Sequence, residues 1–208
     1  MSDECPIIDA GPALNFFASH QERLLYRVLG SLSCPETVVA EIERKAARDR
    51  RFAPAQAVLR KQPDRLWRKL YDSAEDSELV ACVERITKMP FSERMKQRKD
   101  RGELMVIAHA VVLAESGAEV FVIVDDGDGR RFAAREQERL NRMRRSDATV
   151  GKIFVIGTVD IVGRAVKQGF IETKSDLQKV YAKLKELDDG LVPIRDTGLL
   201  EPKFWPVA

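Results

Sequence analysis

Carboxylates placed at the ends of apolar runs are the chemically suggestive feature of this 208-residue chain. Asp9 directly follows Pro6-Ile7-Ile8, and Asp125-Asp126, with Asp128 two residues on, follow the β-branched run Val120–Val124. Glu103 opens the stretch from Leu104 to Ala114, which is apolar on almost every side. Glu41 shares a helical segment with Val38, Ile42 and Ala46; at 100° per residue it lies about 110° from the centre of that apolar face, on its flank. Brought together, these groups need a cation, because two carboxylates about 4 Å apart repel by roughly 4 kcal/mol at an effective dielectric near 20. Oxygen donors without nearby His or Cys favour Mg²⁺ or Mn²⁺ over zinc. Such an ion activates water and clamps a phosphodiester for in-line attack.

The elements that must position these acids read as an α/β fold. Pro6–Ile8, Leu32–Cys34, Val120–Val124 and Ile153–Ile156 read as strands, the last two as central strands of a parallel sheet. Pro35-Glu36 starts a helix that runs to about Arg50, with Pro at its first position and an acid in its first turn. Asp100–Glu115 reads as a helix buried between other elements. Alternating strands and helices predict an α/β sandwich with right-handed crossovers. In open parallel sheets functional groups gather beyond the carboxyl ends of the strands, where Asp9 and Asp125–Asp128 fall. Residues 52–99, broken at Pro54, Pro63 and Pro90, are expected to form a helical basic insertion on the same single domain of residues 1–208. Residues 189–208 are expected to be an irregular tail around Phe204 and Trp205.

Charge is segregated although the chain carries 35 Lys+Arg against 33 Asp+Glu. Residues 102–128 hold six acids and no Lys or Arg, whereas residues 129–146 hold seven arginines and two glutamates. Arg130, Arg131 and the arginines after them share helical faces and suit backbone contact to RNA or to an acidic partner. Arg94-Met-Lys-Gln-Arg-Lys99 reads as an RNA grip or an assembly surface. Gly157-Thr158 at a helix start could hold a phosphate on backbone N–H groups or simply cap the helix. Three widely spaced cysteines and two histidines exclude a disulfide framework or a structural zinc site. The acidic Met-Ser-Asp-Glu-Cys-Pro start does not resemble a secretory signal, and no apolar run reaches the roughly 18 residues of a membrane span. These features predict a cytoplasmic protein without a membrane partner.

Local explanations compete for several of these residues. Asp100-x-x-Glu103 has capping-box spacing, and Asp126-Gly127 and Asp128-Gly129 are good turn formers. An EF-hand reading of Asp125–Asp128 fails because Arg130 stands where that loop needs Gly.

Taken in order, the motifs resemble those of the PIN-domain ribonucleases, and within them the VapC-like toxins. Ile-Ile-Asp9-Ala-Gly-Pro is similar to the family's opening strand and first metal-binding acid, and Pro35-Glu-Thr-Val-Val-Ala-Glu41 to its second. Gly102-Glu103 followed by Ile107-Ala-His-Ala resembles the start of its buried helix. Asp125-Asp126 with Arg130 and Ala133 resembles the double-Asp signature of one branch, and the segment from Gly157 to Gly169 its closing helix. The sequence departs from the pattern at Asp160, where Gly is usual, and in the length of residues 52–99.

The resemblance implies a PIN-like three-layer α/β sandwich with a small central parallel sheet, a Mg²⁺- or Mn²⁺-dependent endoribonuclease, a frequent homodimer, and, for the toxins, an antitoxin that blocks the site. It points to Asp9, Glu41, Glu103 and Asp126 as catalytic metal ligands, with Asp125 and Asp128 in support and Arg130, Arg131 and Thr158 on the RNA. Asp126 is preferred to Asp125 because it lies nearer Asp128 and the turn. Two other classes fit parts of the pattern: a non-catalytic PIN-like module that binds RNA or protein, and a phosphotransfer protein with an aspartyl nucleophile. The second lacks the further Asp two residues after Asp9 that such phosphatases use, since Gly11 stands there.

Overall fold

The computed structural model describes residues 5–205, so the acidic Met1–Glu4 start and the Pro206–Ala208 end of the tail lie outside the described residues. Five parallel strands form one sheet in the order β3-β2-β1-β4-β5. β1 (Ile7–Ile8) is central, with Ile7 opposite Ser33 of β2 (Leu32–Pro35) on one side and Val122 of β4 (Glu119–Ile123) on the other. β5 (Lys152–Ile156) pairs with β4 along its whole length, Glu119 opposite Lys152 and Ile123 opposite Ile156. The β-branched residues of β1 and β4 are fully buried, as strands covered on both faces require.

Two groups of helices cover the sheet. α1 (Ala10–Ala18) and α2 (Glu22–Leu29) connect β1 to β2; α3 (Glu36–Arg48) and α4 (Ala53–Leu59) connect β2 to β3. α5 (Ser77–Thr87), the short α6 (Phe91–Arg94) and α7 (Arg101–Glu115) return the chain to β4, and α8 (Gly127–Met143) leads to β5. The chain ends in α9 (Thr158–Lys167), α10 (Lys174–Leu187) and short 3₁₀ turns. α1, α3 and α4 pack on one another, as do α5, α7 and α8. For strands in this order, the right-handed rule for parallel crossovers sends the connections on the two sides of β1 to opposite faces. α7 touches β1, β2, β4 and β5 as well as α3, α5 and α8, which is why Leu104–Ala108, Ala110, Val111 and Ala114 are all buried.

Residues 52–99 carry the helices α4, α5 and α6 but also, unlike the helical insertion expected of them, a strand of the central sheet. Trp67–Leu70 forms β3, an edge strand paired residue for residue with β2 from Leu32 opposite Trp67 to Pro35 opposite Leu70. Trp67 packs against Phe17 with ring centroids 5.3 Å apart, so it is a core residue. His109 on α7 is also structural: its Nε2 lies 2.9 Å from Asp72 Oδ1, and Asp72 Oδ2 accepts a bond from the Thr37 N–H at the start of α3. Arg94 is buried and donates to the carbonyls of Gln97 and Lys99, so its guanidinium locks its own loop. The tail packs back on the body, with Leu191 and Leu199 buried and Trp205 Nε1 donating to the Leu199 carbonyl. No helix among the described residues is long and apolar enough to cross a membrane.

Candidate functional site

The strand order reverses between β1 and β4, and a crevice opens beyond the carboxyl ends of strands at such a point. Here that crevice is a cleft of about 520 Å³ walled by Asp9, Glu41, Glu103, Asp125, Asp126 and Asp188, with Lys45 and Arg130 as its cations. Asp9 is set by the sheet itself. Its backbone N–H donates to the Ile123 carbonyl of β4 at 3.0 Å, and its side chain stands at the start of α1, 5% exposed. Asp9 Oδ1 is buried without a hydrogen-bond partner. Burial foremost, then Glu103 and Glu41, push the Asp9 carboxyl up to about 7, against the pull of the Ala10 and Gly11 N–H groups.

Gly102 brings α7 and α3 together over this carboxylate. A Cβ at residue 102 would stand 2.9 Å from Glu41 Oε2 and 3.5 Å from Asp9 Oδ1. The bare backbone therefore leaves room at a point that both oxygens border. Gly129 does the same for the opposite wall, where a Cβ would lie 3.3 Å from Glu103 Cγ, and so the first turn of α8 closes on Glu103. Burial, followed by the nearby charges of Glu41, Asp100 and Asp126, raises the Glu103 carboxyl above its ordinary value.

Asp125 and Asp126 have divided their work. Asp125 accepts from the Thr158 N–H at 2.8 Å and the Thr158 hydroxyl at 2.6 Å; burial raises its carboxyl although these bonds and Arg130 favour the charged form. Asp126 is exposed and caps α8, accepting from the Asp128 N–H at 2.6 Å. Asp100 precedes α7 in the left-handed region and makes no side-chain cap, so the capping-box reading of Asp100 and Glu103 does not hold.

Three expected site residues lie elsewhere. Asp128 is paired with Arg131, and both line a separate depression with Lys99 and Arg135. Asp128 thus does not support the cleft, and Arg131 does not face it. Thr158 is fully buried with its hydroxyl and N–H committed to Asp125, so it cannot hold RNA; Gly157 N–H likewise goes to Asp160 Oδ2 at 2.8 Å. This end of α9 is capped by protein carboxylates in place of phosphate. Arg130 does line the cleft, and the space above Gly157 is shared by its guanidinium and Asp125.

The sixth acid, Asp188, is absent from the sequence-based set. Its Oδ2 accepts from Asn15 Nδ2 at 2.8 Å and its Oδ1 from the Gly190 N–H at 2.8 Å, so the tail closes one side of the cleft. Lys45 was unforeseen too, and lies 2.9 Å from Glu41 Oε1.

The donor set fits a hard divalent ion. Asp9 Oδ1 is a buried oxygen with no partner, it borders the same gap as Glu41 Oε2, and neither His nor Cys lines the cleft. Among the described residues no three His, Cys, Asp or Glu side chains already form a closed ligand cluster. The hydrogen bonds explain why: Glu41 is drawn to Lys45, Asp125 to Thr158 and Asp126 to its own helix. Comparison with known proteins adds no relative to this geometry, since no family model, no curated protein and no solved structure matches the chain.

Proposed function

We propose that the chain is a Mg²⁺- or Mn²⁺-dependent endoribonuclease of the PIN-like kind, cutting RNA phosphodiesters at the cleft between β1 and β4. The observation that carries the reading is Asp9: a buried carboxylate with one oxygen unpartnered, facing a gap shared with Glu41 at a parallel-sheet switch point. The order of the motifs along the sequence supports the same reading.

Asp9, Glu41 and Glu103 would hold the ion, with Asp126 and Asp125 on the facing wall. A bound divalent ion supplies an activated water and neutralises charge developing on the phosphate. The chain's own residues do the rest. Glu41 would leave Lys45 to join the ion, freeing the Lys45 ammonium for a phosphate. Arg130, exposed and lining the cleft, offers a forked donor to the phosphate oxygens. Thr158 engages both oxygens of Asp125 and so holds this carboxylate in one orientation at the edge of the cleft. The resemblance extends the proposal to the toxin of a toxin–antitoxin pair, for which induced expression would arrest growth and the Asp9→Asn protein would not.

The test is cleavage of a mixed RNA pool with Mg²⁺, with Mn²⁺ and with chelator, beside Asp9→Asn protein. Cutting that needs the metal and Asp9 supports the proposal. Unchanged cutting by Asp9→Asn protein overturns it, and RNA binding that persists in chelator without any cutting points to a non-catalytic module.

A further inference from the structure

A second cavity, of about 440 Å³, adjoins the acidic cleft and shares Gly11, Lys45 and Asp188 with it. Its chemistry is the reverse of the cleft's. Leu14, Phe52 and Leu187 provide an apolar lining, and Arg44 and Arg48 at the end of α3 provide positive charge. Lys45 is engaged by Glu41, and Arg51 is engaged by Asp49 at 2.8 Å and lies over one face of the Phe52 ring, 5.5 Å from its centroid, whereas Arg44 and Arg48 form no ion pair among the described residues. Four residues apart, the two guanidiniums stand one above the other on one helix face. The trough formed by both cavities therefore runs from a carboxylate well to a pair of unengaged arginines beside an aromatic ring.

We propose that this cavity seats the nucleotide adjacent to the one being cut, with its phosphate on Arg44 and Arg48 and its base against the side of the Phe52 ring that Arg51 does not cover. The inference rests on reading the cleft as an RNA-cutting centre. Guanidinium forks match phosphate oxygens, and an aromatic ring stacks on any base whose face is free. A base within a duplex has no free face, so the RNA must be single-stranded at this point.

Binding of a labelled single-stranded RNA of about ten nucleotides, measured by fluorescence anisotropy in chelator so that nothing is cut, tests the proposal. The protein with Arg44→Ala and Arg48→Ala is expected to bind at least about tenfold more weakly, with the slope of log K against log salt reduced by about 1.4. Phe52→Leu is expected to weaken binding about fivefold or more and to leave the salt slope unchanged. Circular dichroism and an unchanged Mn²⁺-induced rise in the unfolding midpoint establish that each variant is folded with its cleft intact. Wild-type binding by both folded variants would overturn the proposal, as would equally tight binding of duplex RNA. Binding that depends on Arg44, Arg48 and Phe52 in a protein that no metal activates would uphold the cavity and remove the nuclease reading of the cleft instead.

Discussion

Thr158 grips Asp125 twice, through its backbone N–H at 2.8 Å and its hydroxyl at 2.6 Å, across 33 residues of sequence. The pair joins the first turn of α9 to the loop after β4 at the rim of the cleft. It assigns Thr158 the work of orienting a carboxylate that burial alone would tend to neutralise.

Thr158→Val keeps the shape of the side chain and removes the hydroxyl. Losing a hydrogen bond to a charged, half-buried acceptor costs about 1.5–3 kcal/mol, so the urea midpoint is expected to fall by the equivalent amount. RNA affinity in chelator is expected to stay unchanged, because the residue is fully buried. A loss of RNA affinity at unchanged stability would return Thr158 to the RNA-contacting role that its sequence position suggested.

Asp9 makes the fold's stability depend on pH in an unusual direction for a carboxylate. Its carboxyl is raised from 3.8 to about 7 in the native state, so between those values the folded protein keeps a proton that the unfolded chain releases. Its contribution to stability is complete below about pH 4 and is lost as pH rises towards 7, by up to about 1.4 kcal/mol per unit. Asp9→Asn removes the effect. In chelator, the variant is expected to gain on the wild type as pH rises from about 5 to about 8, as urea titrations would record. Parallel pH profiles for the two proteins would remove the claim that Asp9 is charged at a cost.

A divalent ion should relieve that cost. Because it binds the folded state alone, Mn²⁺ at a hundredfold excess over its dissociation constant is expected to stabilise the protein by about 2.7 kcal/mol. The rise in melting temperature should shrink below pH 7, where protons compete for Asp9, and should be largely absent in Asp9→Asn protein. A melting temperature indifferent to Mn²⁺ and Mg²⁺ at every pH would count against an ion in the cleft.

How much of this could be read from residue order depends on the kind of position. Asp9 and Asp125–Asp126 directly follow apolar β-branched runs, and a parallel sheet sends whatever follows its strands to one edge, so their meeting was legible. Glu41 was legible because the apolar face of its helix sets the direction of its flank, and Glu103 because it stands in the first turn of a helix that must be buried. β3 was not. Trp67-Arg-Lys-Leu70 is a four-residue edge strand with two exposed cations in its middle, and such edges keep charge to discourage pairing with other chains. Asp188 was out of reach altogether: it enters the cleft because Asn15, 173 residues away, donates to it. Thr158 shows the opposite failure, in which a correct helix start was assigned a phosphate although a carboxylate of the same chain already occupied its donors.

Gly102 offers the sharpest separation between folding and ion binding. It lies in the first turn of α7, where Ala is favoured over Gly by up to about 1 kcal/mol, the helix-interior value. Yet a Cβ there would stand 2.9 Å from Glu41 Oε2, closer than such atoms normally approach, with Asp9 Oδ1 and Val38 Cγ2 each 3.5 Å away. Glu41 is the end of a flexible side chain already drawn towards Lys45, so it can swing aside at little expense to the fold. Gly102→Ala is therefore expected to leave the urea midpoint in chelator equal to or above that of the wild type. The methyl group would fill the gap bordered by Asp9 and Glu41, and the stabilisation by Mn²⁺ should drop by about 1.4 kcal/mol or more, a tenfold weaker site. If Gly102→Ala keeps the full Mn²⁺ response, the ion does not sit in that gap, and the ligands must be sought among Glu103, Asp125, Asp126 and Asp188 on the other walls.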